Sequence, residues 1–422
     1  VFFKITMGVG AIVMLYGVFQ YYRIENIPLA FPGDIRPGSF PGNPAFFASY
    51  LFLLIVSSLI VASHNSARQI QKEKIWKYGA YGIIVASVIM IFMTGTRGAI
   101  LGLGASVITL LVYYAVKGGN VRVRGKEQNI KYIAWVLLGA TVLGGGIFWN
   151  TRDAALWQAI PGINRLAHTA VFDINDSSTQ MRLMTWRLSW EAFKEKPIFG
   201  WGPENYLVAY LKHYNPDMAI YGQTWIDRAH NKIIDTAVMH GLVGLITYLG
   251  MFVALWYALF RHRHENEYEN EIQKIALFVM IVMVGYMVQN LFVFDQINSY
   301  IMLFAIMGYY ATAEKKEDDA APNMRKKGGM AQYVLAVAGI ITIPFVVYSV
   351  YAYNYVPLAQ AKMFKESVGL ERIDLVVAKI RESMHPYNFA QYNIRGQGVD
   401  SYYLQHYFYQ KALLDNPKFQ GL

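Results

Sequence analysis

PAFFASYLFLLIVSSLIVAS, residues 44–63, runs for twenty positions without a charged side chain. A helix of that length rises about 30 Å, the thickness of the hydrocarbon core of a bilayer. A buried strand is far shorter, and a soluble amphipathic helix would interrupt the run with polar residues at helical spacing. The stretch reads as a membrane-spanning helix, and the chain around it repeats the pattern. Eight further candidates lie at 2–22, 79–95, 98–116, 132–149, 232–260, 275–294, 297–313 and 330–350. The first ends in Tyr21-Tyr22 without a small-residue cleavage site, so it reads as a span and not as a signal peptide.

The composition agrees. Of 422 residues, 55% are hydrophobic and 16% charged, with mean hydropathy +0.25. Soluble domains carry roughly 25% charge, which argues against a cytosolic enzyme, and the apolar content rules out a disordered chain. The chain has no Cys, which removes disulfides, thiolate metal sites and Cys nucleophiles. The net charge of +10 is not gathered on one face as nucleic-acid binding requires; it lies between the apolar runs. The expected fold is an all-α, polytopic membrane protein. Residue 1 is Val, so the N-terminus is expected to be truncated or processed, with segments missing upstream.

Basic residues set the orientation. Loops 64–78, 117–131, 261–274 and 314–329 hold 17 Lys and Arg in 60 residues, against 11 in 106 for the loops on the other side. The first set is expected in the cytoplasm. The chain then divides into spans over 1–149, an outer loop over 150–231, further spans over 232–350 and an outer tail over 351–422. Within the loop, Met181, Met184, Leu188 and Phe193 have the spacing of a helix lying on the membrane surface, ended by Lys196-Pro197. In the tail, Ile373, Val376, Val377, Ile380 and Met384 share a helix face that stops at Pro386. A second stretch, 401–414, stops at Pro417, and the pair loosely resembles tetratricopeptide-type hairpins.

The chemistry-bearing residues fall on the outer side. Arg97 sits at a membrane face between two spans, flanked by Gly95 and Gly98. A charge there is either a ligand-binding group or an Arg snorkelling to head groups. Arg182 lies four residues before Trp186, on one helix face; Arg187 is one step around. Arg36 opens a run of turn formers ending at Asn43, where a span begins. His230, in Arg228-Ala229-His230-Asn231, closes the long loop just before the sixth span. A lone His is usually structural, but beside several outer Arg residues it suits a proton acceptor near an anionic substrate. The sequence carries no metal constellation, P-loop or dinucleotide fingerprint. Outside the membrane there is no nucleotide sugar or ATP, so a donor must arrive already activated and lipid-anchored. A polyprenyl-pyrophosphate glycan meets both needs: Arg forks bind phosphate oxygens in pairs, and a neutral His can take the acceptor's proton.

Together the motifs resemble the O-antigen ligase and polymerase superfamily of bacterial envelope glycosyltransferases. The pieces are Arg36-Pro-Gly-Ser-Phe-Pro-Gly-Asn43, Thr96-Arg97-Gly98-Ala99, Arg182-x-x-x-Trp186 with Pro197-Ile-Phe-Gly200-Trp-Gly202, and Ala229-His230-Asn231 with Gly241-Leu-Val-Gly244-Leu. They cover roughly residues 30–310. Asn43 is followed by Pro44, not by a second Asn, and Ala45 stands where a polar residue is common. The resemblance implies a GT-C-like helical bundle in the bacterial inner membrane. It implies metal-independent, inverting transfer of a glycan from undecaprenyl pyrophosphate to a lipid-core sugar, a glycan chain or a protein hydroxyl, without a cofactor. By motif, Arg97 and Arg182 would hold the pyrophosphate and His230 would be the base, with Arg36, Trp186, Asn231 and Arg187 lining the substrate site. The competing class is a transporter, for which buried polar residues such as Gln289, Asn290 and Asp295 would speak. Against it stand the 80-residue outer loop and the lack of an internal repeat.

Overall fold

The computed structural model describes residues 1–24, 36–64, 71–118, 120–123, 126–160, 162–168, 177–215, 226–261 and 267–313, with isolated positions between 340 and 382. The chain divides into two compact units, Val1–Asp319 and Ala320–Leu422. All the helices named below belong to the first. The expected ninth span at 330–350 and the tail helices fall almost wholly outside the described residues.

The fold is helical: α1 (Phe2–Tyr21), α2 (Pro44–His64), α3 (Gln71–Met93), α4 (Arg97–Lys117), α5 (Ile130–Thr151), α6 (Ala155–Gln158), α7 (Ile163–His168), α8 (Ser177–Glu195), α9 (Tyr206–Lys212), α10 (Lys232–Arg261), α11 (Glu267–Gln289) and α12 (Ile297–Ala313). The loop between α4 and α5 forms a short antiparallel hairpin, β1 (Asn120–Val123) with β2 (Lys126–Asn129), Val123 facing Lys126. Among the described residues six helices are long and apolar enough to cross a membrane, and Ile275–Gln289 and Ile297–Ala311 are shorter apolar helices. The chain is a multi-pass helical membrane protein.

The uncharged run at 44–63 becomes the central helix, α2. Of its apolar window 83% is buried, against 6% for α5, which turns almost all of its surface outward. Phe47 and Leu51 to Leu54 on α2 are fully enclosed by side chains of α1, α3, α10, α11 and α12. Without a water-driven hydrophobic effect inside a bilayer, helices associate by close packing of small residues and by hydrogen bonds. The α4–α11 crossing shows both: Gly102 and Gly285 meet so closely that a Cβ on either would strike the other's carbonyl oxygen, and Ser106 Oγ donates to Ile281 O at 3.0 Å.

Two expectations shift. The span at 275–294 ends as a helix at Gln289, although Leu291, Phe292, Val293 and Phe294 keep the apolar run going. Residues 290–296 instead form an apolar turn. Its backbone serves another element, since Asn290 O accepts the Lys232 amide at 2.8 Å. The loop helix α8 does form where expected, but its apolar face does not lie on the membrane. Met181, Met184, Leu188 and Phe193 pack with Tyr206, Ala209 and Tyr210 of α9 and with Val238 and Met239 of α10. The loop carries its own small core, which takes the surface that lipid was expected to cover.

Candidate active site

The site gathers at one end of the bundle, where α2, α4 and α10 begin and α3 and α11 end. Each functional side chain is held by a local device. The Arg36–Asn43 run is pinned to α1: Gln20 Oε1 accepts the amides of Gly38 at 3.2 Å and Ser39 at 2.7 Å, and Ser39 Oγ donates to Val13 O at 2.6 Å. Asn43 then caps α2, its Oδ1 accepting the Ala45 amide at 2.8 Å. The α3–α4 turn is set by Gly95 at φ +57° and by Thr94, whose hydroxyl donates to Ile91 O at 2.7 Å. Arg97 is therefore the first residue of α4, at the end of a helix where backbone N–H groups and the macrodipole favour anions. Gly98 fits against the ring of Phe292.

These elements enclose a cavity of about 540 Å³ lined by Arg36, Asn43, Arg97, Arg165, Arg182 and Trp186, with Leu101, Leu183 and Phe292 supplying apolar wall. Four guanidinium groups thus converge on one space. Three of them were expected from sequence. The fourth, Arg165 on α7, was not: it follows no motif, and only the fold brings it over, with Nη1 donating to Gly95 O at 3.3 Å.

The Pro197–Gly202 motif has a structural task. α10 is broken at Gly241, which takes φ +64°. A break inside an apolar helix leaves backbone groups without partners, which is costly where water is scarce. The loop segment supplies them. Trp201 N donates to Val238 O at 3.0 Å and Gly202 N to Met239 O at 2.8 Å; in return Leu242 N donates to Pro197 O at 2.8 Å and Val243 N to Ile198 O at 3.2 Å. Gly200 and Gly241 permit the contact, since a Cβ on Gly200 would lie 2.5 Å from His240 N. This seam fixes α8, which carries Arg182 and Trp186, to α10.

A second tie runs from Trp186, whose Nε1 donates to Ala229 O at 2.9 Å. Next to it stands His230, at φ +51°, a left-handed backbone that costs a non-glycine residue about 1–2 kcal/mol and is typical of functional positions. Its Nδ1 lies 3.1 Å from Arg228 O. A carbonyl only accepts, so Nδ1 carries the hydrogen and Nε2 keeps its lone pair. Burial, and then the positive charge of Arg182, hold the imidazole below its usual pKa of 6.5. His230 is not among the residues lining the cavity; it stands beside it, within the field of Arg182 and edge-on to Phe294 with ring centroids 5.7 Å apart.

Two of the other expected residues sit differently. Asn231 is buried, and its Oδ1 accepts the amides of Ile233 at 3.0 Å and Ile234 at 3.2 Å, so it caps α10. Arg187 lies outside the cavity lining, one step around α8 from Arg182. Of the buried polar residues that favoured a transporter, Asp295 is engaged within the protein. It accepts from Tyr248 at 3.1 Å, from Asn290 at 2.9 Å and from Tyr286. No group of His, Cys, Asp and Glu among the described residues could hold a metal ion.

No curated protein matches the chain. Residues 82–249 match the model of the family described as O-antigen ligase, Wzy_C. That stretch takes in Arg97, Arg165, Arg182, Trp186 and His230 together with the 197–202 seam. Over that stretch the chain is similar to O-antigen ligases, a likeness that points to glycan processing of the ligase or polymerase kind.

Proposed function

We propose that the protein is an inverting glycosyltransferase that moves a glycan from undecaprenyl pyrophosphate to an acceptor hydroxyl on the outer side of the bacterial cytoplasmic membrane. The observation that carries this reading is the convergence of Arg36, Arg97, Arg165 and Arg182 on one cavity beside an imidazole whose Nε2 is the acceptor nitrogen. The pyrophosphate occupies the guanidinium set, each fork offering paired donors to phosphate oxygens. The acceptor oxygen attacks the anomeric carbon from the face opposite the phosphate, while its proton passes to His230 Nε2. The bond from carbon to phosphate oxygen breaks, and its electron pair leaves with the pyrophosphate, whose growing charge the arginines stabilise. Attack from the opposite face inverts the anomeric centre. With four fixed cations at the leaving group, the step requires no divalent metal. The positive-inside distribution of Lys and Arg supports an outward orientation for this end of the bundle.

The acceptor is a lipid-core sugar, a growing glycan chain or a Ser or Thr of a protein; the first makes the enzyme a ligase, the second a polymerase, the third a protein O-oligosaccharyltransferase. The test is incubation of the purified protein in nanodiscs with undecaprenyl-pyrophosphate glycan and each acceptor class, followed by product mass analysis. The expected result is one coupled product, formed equally well with chelator present. Absence of any coupled product, together with glycan uptake into proteoliposomes, would replace this reading with a carrier.

A further inference from the structure

Asp235 lies one turn into α10, is 1% exposed, and belongs to none of the sequence motifs that mark the site. Its Oδ1 accepts the Ala229 amide at 3.1 Å, and its Oδ2 accepts from Arg228 Nη1 at 3.3 Å. The Ala229 N–H belongs to the same peptide group as the Arg228 carbonyl, and that carbonyl takes the Nδ1 hydrogen of His230. One rigid peptide plane therefore has a buried carboxylate at its N–H end and the imidazole at its C=O end. Hydrogen bonds in series polarise one another, so a peptide whose N–H is drawn by a carboxylate presents a stronger acceptor at its oxygen.

The surroundings hold this plane still. The carbonyl of Ala229 accepts from Trp186 Nε1 at 2.9 Å. The Arg228 guanidinium reaches Glu204 with its other arm and stacks over Phe294, 5.4 Å from the ring centre. Phe294 in turn packs edge-on against His230. Resting on the proposed glycan transfer, we propose that Asp235 is a positioning residue. It acts on His230 through the Arg228–Ala229 peptide, fixing the Nδ1–H tautomer and aiming Nε2 at the acceptor. The side-chain oxygen that accepts the Ala229 amide thus orients the imidazole at one peptide's remove.

The test compares Asp235→Asn and Asp235→Ala in the full chain in nanodiscs. The Asn side chain keeps an oxygen for the Ala229 amide; Ala does not. Asp235→Ala should lower kcat roughly a hundredfold with donor KM within about twofold of the parent, and Asp235→Asn should recover most of that loss. A purely structural role would move kcat and KM together, or leave Asn as impaired as Ala, and either outcome overturns the proposal. Nitrogen-15 NMR of histidine-labelled protein, with His230→Gln to assign the signal, gives a reading that needs no donor. The Nδ1–H tautomer is expected in the parent and in Asp235→Asn, and a mixture in Asp235→Ala. An unchanged tautomer in Asp235→Ala refutes the relay. A changed tautomer in a protein that transfers no glycan refutes the glycosyltransferase reading alone.

Discussion

Gly200→Ala probes the seam that fixes α8 to α10. Gly200 sits at φ +69°, and a Cβ there would lie 2.5 Å from His240 N and 2.6 Å from Gly241 N, both backbone atoms that cannot swing away. The left-handed backbone alone costs Ala about 1–2 kcal/mol. The Cβ must also push the loop off α10. Four hydrogen bonds cross the contact, each worth a net 0.5–1.5 kcal/mol or so. Loss of even two of them with the strain amounts to about 3 kcal/mol, or roughly a hundredfold in a local opening equilibrium. Hydrogen–deuterium exchange of peptides covering 198–204 and 238–245 should quicken by about that factor. Glycan transfer should fall alongside, because Arg182 and His230 no longer keep their spacing. Gly202→Ala is the internal comparison. Its Cβ would meet only the Asn205 side-chain amide, at 3.0 Å, so strain acts without the backbone collision and exchange should rise about tenfold or less. Equal behaviour of the two variants, or parental exchange in Gly200→Ala, would refute the seam as a structural link.

The remaining predictions concern the arginines, the base and the cap. Arg97→Lys and Arg182→Lys should each lose roughly tenfold or more in kcat/KM for the lipid-pyrophosphate donor, since one ammonium does not fork onto two oxygens; full activity would mean that charge alone suffices. Arg165→Ala should raise donor KM several-fold with seam exchange unchanged, and an unaltered KM would remove it from the phosphate site. The base works only when neutral, so kcat/KM should rise with pH through an apparent pKa below 6.5. Arg182→Gln removes one of the two influences that hold it low, and the acid limb should move to higher pH; a limb that stays put would detach His230 from Arg182. Asn231→Ala should cost about 1 kcal/mol of stability through the lost helix cap, seen as a lower Tm with donor KM unchanged, and a raised KM at parental Tm would return Asn231 to the substrate.

How much of the molecule was legible in the sequence depends on what each signal encodes. Span positions were readable because apolar runs report transfer into lipid, a property of each stretch by itself. The end of α11 was not, since hydropathy cannot separate an apolar helix from an apolar turn inside the protein; Asn290 O bonding the Lys232 amide decides it. Helical spacing found α8 and the shared face of Arg182 and Trp186, yet it could not say whether the apolar side met lipid or the core built with Tyr206 and Met239. Arg36, Arg97 and Arg182 were found because each belongs to a motif at a turn or on a helix face. Arg165 belongs to no motif, and only the packing of its helix, α7, against the α3–α4 turn places it. Asp235 was hidden for a different reason. An isolated acid one turn inside an apolar helix has no periodic or spacing signature, and its meaning depends on a peptide six residues earlier.

The charge pattern of the site bears on which substrate classes fit it. Asn43 precedes α2, Arg97 begins α4 and His230 precedes α10, so three helix N-termini stand at the same end of the bundle. Each adds the positive end of a helix dipole, partly satisfied at α2 and α10, where Asn43 and Asn231 cap first-turn amides. The four guanidiniums of the cavity add to that field. A cationic solute would be repelled, and a neutral sugar would gain little from forked donors. A multi-oxygen anion gains from both sources, and the apolar wall of Leu101, Leu183 and Phe292 accepts whatever hydrocarbon is attached to it. Burial, and then the charge of Arg182, hold the His230 imidazole below its usual pKa, whereas a directly bonded carboxylate would favour the charged imidazolium. The contact that the imidazole makes through Nδ1 is with an uncharged group, the Arg228 carbonyl, which orients the ring without adding a negative charge beside it.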